Sequence, residues 1–157
     1  MVLDVVLSRQ RRYLERVLPM VEKWEAGSEA RTMRWLAGHE LDQKRYGLRS
    51  GESTTIAVLA HNLVNYADER GLGEDEGCLR WAQGVAGIEH APGLDPVVGS
   101  VAGIGPALFA YLRMRSGADA LKPDARVARA LRTQGSMYRP TSTPSSLWRM
   151  PSQKRQP

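Results

Sequence analysis

Apolar residues recur at positions 3, 6, 7, 14, 17, 18, 21 and 24 of the opening stretch "LDVVLSRQRRYLERVLPMVEKWEA", close to the spacing that lines one face of a helix. Ser8 and Pro19 interrupt that rhythm, so a broken or kinked helical segment is expected rather than one straight rod. "GSEARTMRWLAG" then predicts a short helix that turns Met33, Leu36 and Ala37 inward and closes at Gly38. The clearest pattern is "SGESTTIAVLAHNLVNYADERG". There Ser53 reads as an N-cap, Ile56, Leu59, Leu63 and Tyr66 share a face, and Gly71 supplies a stop. "EDEGCLRWAQGVAGI" predicts a shorter helix with an acidic first turn, which suits its dipole. A turn-rich stretch, "EHAPGLDPVVGSVAGIGP", leads into a further helix over 106–115. No segment alternates with period two for long and β-branched residues are sparse, so the expected fold is all-α.

From about Thr133 the pattern stops. "TQGSMYRPTSTPSSLWRMPSQKRQP" is rich in Ser, Thr, Pro and Arg, with isolated apolar residues and no periodicity. Such a segment cannot bury enough surface to offset its ordering entropy. The expected organisation is a helical domain over 1–132 followed by a disordered basic tail over 133–157.

Composition narrows the class. The 157 residues suffice for one domain with a real core, and 42% apolar and 25% charged residues are ordinary for a soluble protein. No apolar run approaches the roughly 20 residues a membrane span needs. "MVLDVVLSRQRR" places its apolar residues before its arginines, the reverse of a secretory signal. A single cysteine, Cys78, excludes an internal disulfide and a cysteine-built metal or iron–sulfur site. His39, His61 and His90 show no ligand spacing. The expectation is a cytoplasmic monomer without cofactor, metal or membrane partner. Trp24, Trp35 and Trp81 are expected in the core, and Cys78 as a small buried apolar residue.

The net charge of +5 is uneven. Residues 1–106 hold twelve Lys and Arg against fifteen Asp and Glu, a balance of −3, whereas residues 107–157 hold ten against two, a balance of +8. A basic surface of this kind attracts phosphate polyanions, and a solvated basic tail accounts for part of the excess.

Gly103-Ile104-Gly105-Pro106 is the segment with chemical content. Its glycines allow backbone angles closed to other residues and let another chain approach. Pro106 suits a first helical position, and the free amides of the next turn form an anion site well matched to a backbone phosphate. Ile104 is expected to point inward, with Val98 and Val101 on a short preceding helix. An ordinary glycine-bearing helical turn has the same local pattern.

Short helix, Gly-apolar-Gly turn and second helix over about 96–115, then a Gly-containing turn near Gly117 and Pro123-Asp124 before the apolar positions Val127, Ala130 and Leu131, form a distinctive order. It resembles the helix-hairpin-helix (HhH-GPD) signature of the endonuclease III-like DNA glycosylase superfamily. "LDVVLSRQ", "YGLRSGESTTI" and "LDPVVGSVAGIGP" are similar to further family segments, so the resemblance covers about residues 2 to 132 in order. It implies double-stranded DNA as partner, gripped by its phosphates with one base flipped out. It also implies a catalytic role for Asp124, which alternatively reads as a helix N-cap.

Gln10 corresponds to the family's Ser-x-Gln glutamine near the duplex, and reads equally as an exposed helix-end residue. Gly103, Ile104, Gly105 and Ala107 supply the hairpin. Arg113, Arg115, Lys122, Arg126 and Arg129 are candidate phosphate contacts.

Bifunctional members carry a lysine where Ala107 stands, so no amine is available here for a Schiff base, and any activity is that of a monofunctional glycosylase without lyase action. Phe109 replaces a residue that is small in many members, which predicts wider spacing of the hairpin helices. The tail lacks the family's closing helices, as in a chain truncated or frameshifted at its C-terminus. Three readings stand: a monofunctional glycosylase using Asp124 for electrostatic and general-base work, a DNA-binding relative without activity, and an all-α interaction module without nucleic acid.

Overall fold

The computed structural model describes residues 1–27, 32–88, 90–121 and 129. Met1–Asp124 form one compact unit and Ala125–Pro157 a second, of which only Arg129 is described. The expected tail, and Asp124, Lys122 and Arg126, lie outside the described residues.

The first unit is all-α, with no strand among its described residues. Helix α1 (Val2–Leu7) is buried all round, as its run of Val and Leu requires. The chain then breaks over residues 8–12, a π-helical turn covers Tyr13–Val17, and α2 runs Leu18–Gly27. The break falls at Ser8 as expected, whereas Pro19 lies inside α2, at its second position. Ser8 turns its hydroxyl back to donate to the Val5 carbonyl at 2.8 Å. Pro19 has no N–H to donate and crowds the preceding turn, which is the wide π turn ending at Val17.

Helix α3 (Met33–Gly38) is capped by Thr32, whose hydroxyl accepts from the Trp35 amide at 3.1 Å. Glu74 reinforces that end from another element, its carboxylate accepting from the Met33 and Arg34 amides at 2.9 and 3.1 Å. The four-residue α4 (Gln43–Tyr46) is not evident in the apolar pattern. It depends on Asp42, which accepts from the Lys44 and Arg45 amides, and on Gly47 at φ +62°.

Helix α5 (Glu52–Asp68) is the hub, with α1, α3 and α6 (Glu74–Gly84) packed on it. Ile56, Leu59 and Leu63 are fully buried as expected, and Tyr66 is partly covered. Its start differs from expectation. Gly51 at φ +80° is the N-cap, while Ser53 lies inside the helix, where its buried hydroxyl accepts from the Leu41 amide at 2.9 Å. Its end is as expected. Gly71 at φ +64° lets the Gly71 and Leu72 amides turn back to the carbonyls of Asp68 and Ala67.

Two 3₁₀ turns, Ala86–Ile88 and Pro92–Leu94, lead toward α7 (Pro106–Arg115). That helix has the expected bounds. It ends on a second glycine return, with Gly117 at φ +86° and the Ala118 amide bonded to the Arg113 carbonyl. Trp24 and Trp81 are buried in the core, and Trp35 packs partly buried against it. Phe109, fully buried, meets Trp81 edge to face at 5.5 Å between ring centroids. Cys78 is buried, and burial beside Asp75 and Glu74 pushes its thiol up to about 12.

Candidate nucleic-acid interface

The hairpin is held from three sides. Asp95, only 3% exposed, accepts through one oxygen from the Val98 amide at 2.7 Å, the Gly99 amide at 3.0 Å and the Trp81 indole at 3.3 Å. Asn62 of α5 donates to the Val97 carbonyl at 2.8 Å, and Thr55 of α5 donates to the Ala102 carbonyl at 3.1 Å. Val98, Val101 and Ile104 are buried beneath, so Ile104 pins the turn from inside as expected. The expected short helix through Val98 and Val101 is instead a series of tight turns. Gly99 sits where the turns bring the chain against the Pro92 carbonyl, which a Cβ there would run into.

The two hairpin glycines have different reasons. Gly103 sits at φ +91°, a left-handed angle that other residues adopt at a cost. Gly105, at φ −95° and ψ 179°, is ordinary extended backbone that caps α7, and nothing lies within 4 Å of where its Cβ would be. Pro106 occupies the first turn of α7. The amides of Gly103, Gly105 and Ala107 have no acceptor among the described residues. They surround the start of a ten-residue helix, whose dipole adds positive potential there.

Arg9 approaches this turn. A Cβ on Gly103 would lie 3.2 Å from its guanidinium and 3.5 Å from the Thr55 hydroxyl. A groove of about 560 Å³ runs between the start of α5 (Ser50, Gly51, Thr54, Thr55) and the hairpin (Ser100–Gly103), with Arg9 as its one charged lining residue. Gln10 follows, exposed, at φ +52°.

The loop that carries these residues is fixed by a buried ion pair. Arg11 donates to both oxygens of Glu52, at 2.7 and 2.8 Å, with the two side chains 8% and 5% exposed. The second Glu52 oxygen also accepts from the Arg49 amide at 2.8 Å, and the Arg49 side chain donates to the Arg9 carbonyl at 3.2 Å. Loops 8–12 and 47–51 and the start of α5 are therefore one knot.

The structure thus brings Gly103, Gly105, Ala107 and the Arg9-Gln10 loop onto one side of the unit. Arg113 does not join them and is corrected as a phosphate contact. It is 1% exposed and donates to the Ala82 carbonyl at 2.9 Å, inside the core. Arg115 is tied to the buried Asp4 at 3.1 Å, and the same carboxylate accepts from Tyr111 at 3.3 Å. Burial and then Asp4 push the Tyr111 phenol up to about 12. Arg9, Thr55, Arg11 and Glu52 escaped the sequence reading. The signal that could have found the pair was an acid directly behind a glycine at a helix start.

Among the described residues no group of three or more His, Cys, Asp or Glu could hold a metal ion, and no helix is long and apolar enough to cross a membrane. No family model, no curated protein and no solved structure matches this chain.

Proposed function

We propose that this chain binds double-stranded DNA through the hairpin face and hydrolyses N-glycosidic bonds as a monofunctional glycosylase, with Asp124 as the catalytic carboxylate. The observation that carries the binding part is the turn at Gly103–Gly105: unpartnered amides, a helix start and an arginine in one place, on a rigid support. Groups of this kind grip phosphates without reading bases. The hydrolytic part rests on the order of hairpin, Gly117 turn and Pro123-Asp124 in the sequence. A carboxylate close to the sugar stabilises the positive charge that builds as a flipped base leaves, and activates water. In the resemblance to the glycosylase superfamily, Ala107 takes the place of the Schiff-base lysine, so the product is an abasic site in an unbroken strand.

A DNA-binding relative without activity is the second reading, favoured by the lack of helical periodicity after Thr133. Two variants separate these readings. Gly105→Val adds bulk on the outer side of a turn whose backbone accepts it, so duplex affinity falls while thermal stability holds. Asp124→Asn abolishes excision and leaves binding intact. Unchanged affinity in the first variant removes the hairpin as the DNA site. Absence of excision by the parent chain on every damaged base tried leaves the second reading.

A further inference from the structure

A second groove, of about 750 Å³, lies beyond the Gln10 loop. Gln10, Arg12, Arg16, Met20, Gly47 and Arg49 line it. Its one lining acid, Glu15, faces Arg12 at 3.1 Å, and Arg11 on its wall is matched by Glu52. Arg16 and Arg49 have no carboxylate partner among the described residues. Pro19 and Met20 give the same groove an apolar surface. Two unmatched guanidinium groups beside apolar surface suit a sugar–phosphate chain, whose oxygens take the charge while its sugars cover the Met20 side chain.

Position supports the match. Arg9 lines the hairpin groove and Gln10 the larger one, so the two grooves flank the same loop, itself locked by the Arg11–Glu52 pair. We propose that the larger groove is a second phosphate track, in which Arg16 and Arg49 hold the backbone of the same duplex after it has crossed the Gln10 loop. This rests on the DNA-binding reading above and extends it. The footprint is longer than the hairpin alone supplies, and its charge contacts come from the N-terminal half of the chain.

Salt titration of duplex binding by the full 157-residue chain tests the proposal, with fluorescence anisotropy as readout. Each phosphate neutralised contributes about 0.9 to the slope of log affinity against log salt. Arg16→Gln with Arg49→Gln therefore lowers the slope by about 1.8. A charge-matched control, Arg34→Gln with Arg80→Gln, removes the same two charges outside both grooves and leaves the slope near the parent value.

An unchanged slope in the groove variant overturns the track. Continued sensitivity to Gly105→Val would then show that hairpin binding survives without it. An equal loss in the control variant also overturns it, because net charge alone then explains the effect. Absence of duplex binding by the parent overturns both the track and the function it rests on. Because Arg49 also bonds a backbone carbonyl, Arg16→Gln alone, with a fall of about 0.9, serves if the double variant melts early.

Discussion

Glu52→Gln keeps the side chain's size and removes its charge. The carboxylate accepts three hydrogen bonds, two from Arg11 and one from the Arg49 amide. A glutamine oxygen can retain the Arg11 Nη2 and Arg49 bonds, but its amide group then meets Arg11 Nη1 donor to donor. The Arg11 side chain is 8% exposed, so its charge is left in a poorly solvated place. Removing one partner of a buried pair costs about 3–5 kcal/mol. Arg11 keeps two carbonyls, of Leu7 at 3.2 Å and Gly47 at 3.4 Å, which favours the lower end, about 3 kcal/mol.

That is a large share of the roughly 5–15 kcal/mol that holds a domain together, and corresponds to a fall in Tm of about 6–12 °C. Arg11→Met with Glu52→Gln removes the stranded charge as well, and recovers most of the loss. Urea unfolding followed by tryptophan emission measures all four corners of the cycle, with Trp24 and Trp81 buried as reporters. A cost below about 1 kcal/mol for Glu52→Gln, or a double variant no better than the sum of the singles, refutes the reasoning.

Gly99→Ala forces the 92–99 turn open against the Pro92 carbonyl and costs about 2–3 kcal/mol in the same unfolding assay, and a neutral result contradicts the close approach. Gln10→Val places a β-branched residue at φ +52° and costs about 1–2 kcal/mol, whereas Gln10→Gly is no less stable than the parent. A thiol reagent at pH 8 leaves native Cys78 unmodified and labels it only on unfolding. The folded pKa values of Cys78 and Tyr111 are both raised to about 12, from ordinary values of 9.0 and 10.0. The folded state therefore holds these protons more tightly, and stability holds below about pH 9 and falls as pH rises toward 12. A protein equally stable at both ends of that window contradicts the burial of these groups.

The helical class, the bounds of α7 and the glycine ends of α5 and α7 were legible in the sequence, because each follows from local rules. Periodicity marks a face, proline a first turn, and glycine a left-handed exit. Ser53 shows where local rules stop. A serine ahead of an apolar run is a good cap, yet here it is drawn inside the helix by a partner twelve residues away, the Leu41 amide. Helix α4 was hidden for a similar reason: four residues with one buried tyrosine carry no period, and the Asp42 cap that forms them reads equally as a turn. At the candidate site the hairpin was legible and its support was not. Nothing in the spacing of Arg11 and Glu52 shows that 41 residues of chain bring them to 2.7 Å.

Charge is where sequence order and surface part most. The formal surplus lies after residue 106, and the first 106 residues are net acidic. Six of the fifteen acids of that stretch, however, are committed to the unit's own structure. Asp4, Glu52 and Asp95 are buried, Glu74 and Asp42 hold helix starts, and Asp68 is bidentate with Arg34. Among the described residues arginines 9, 16 and 49 have no such partner, and all three line the two grooves beside the Gln10 loop. Conversely, the first arginine of the basic half, Arg113, is inside the core, and the next, Arg115, answers Asp4. The field that a polyanion meets is set by unmatched charges at the surface rather than by net charge along the chain. Beside the Gln10 loop those charges are Arg9, Arg16 and Arg49, and it is an acid, Glu52, that ties together the two loops carrying Arg9 and Arg49.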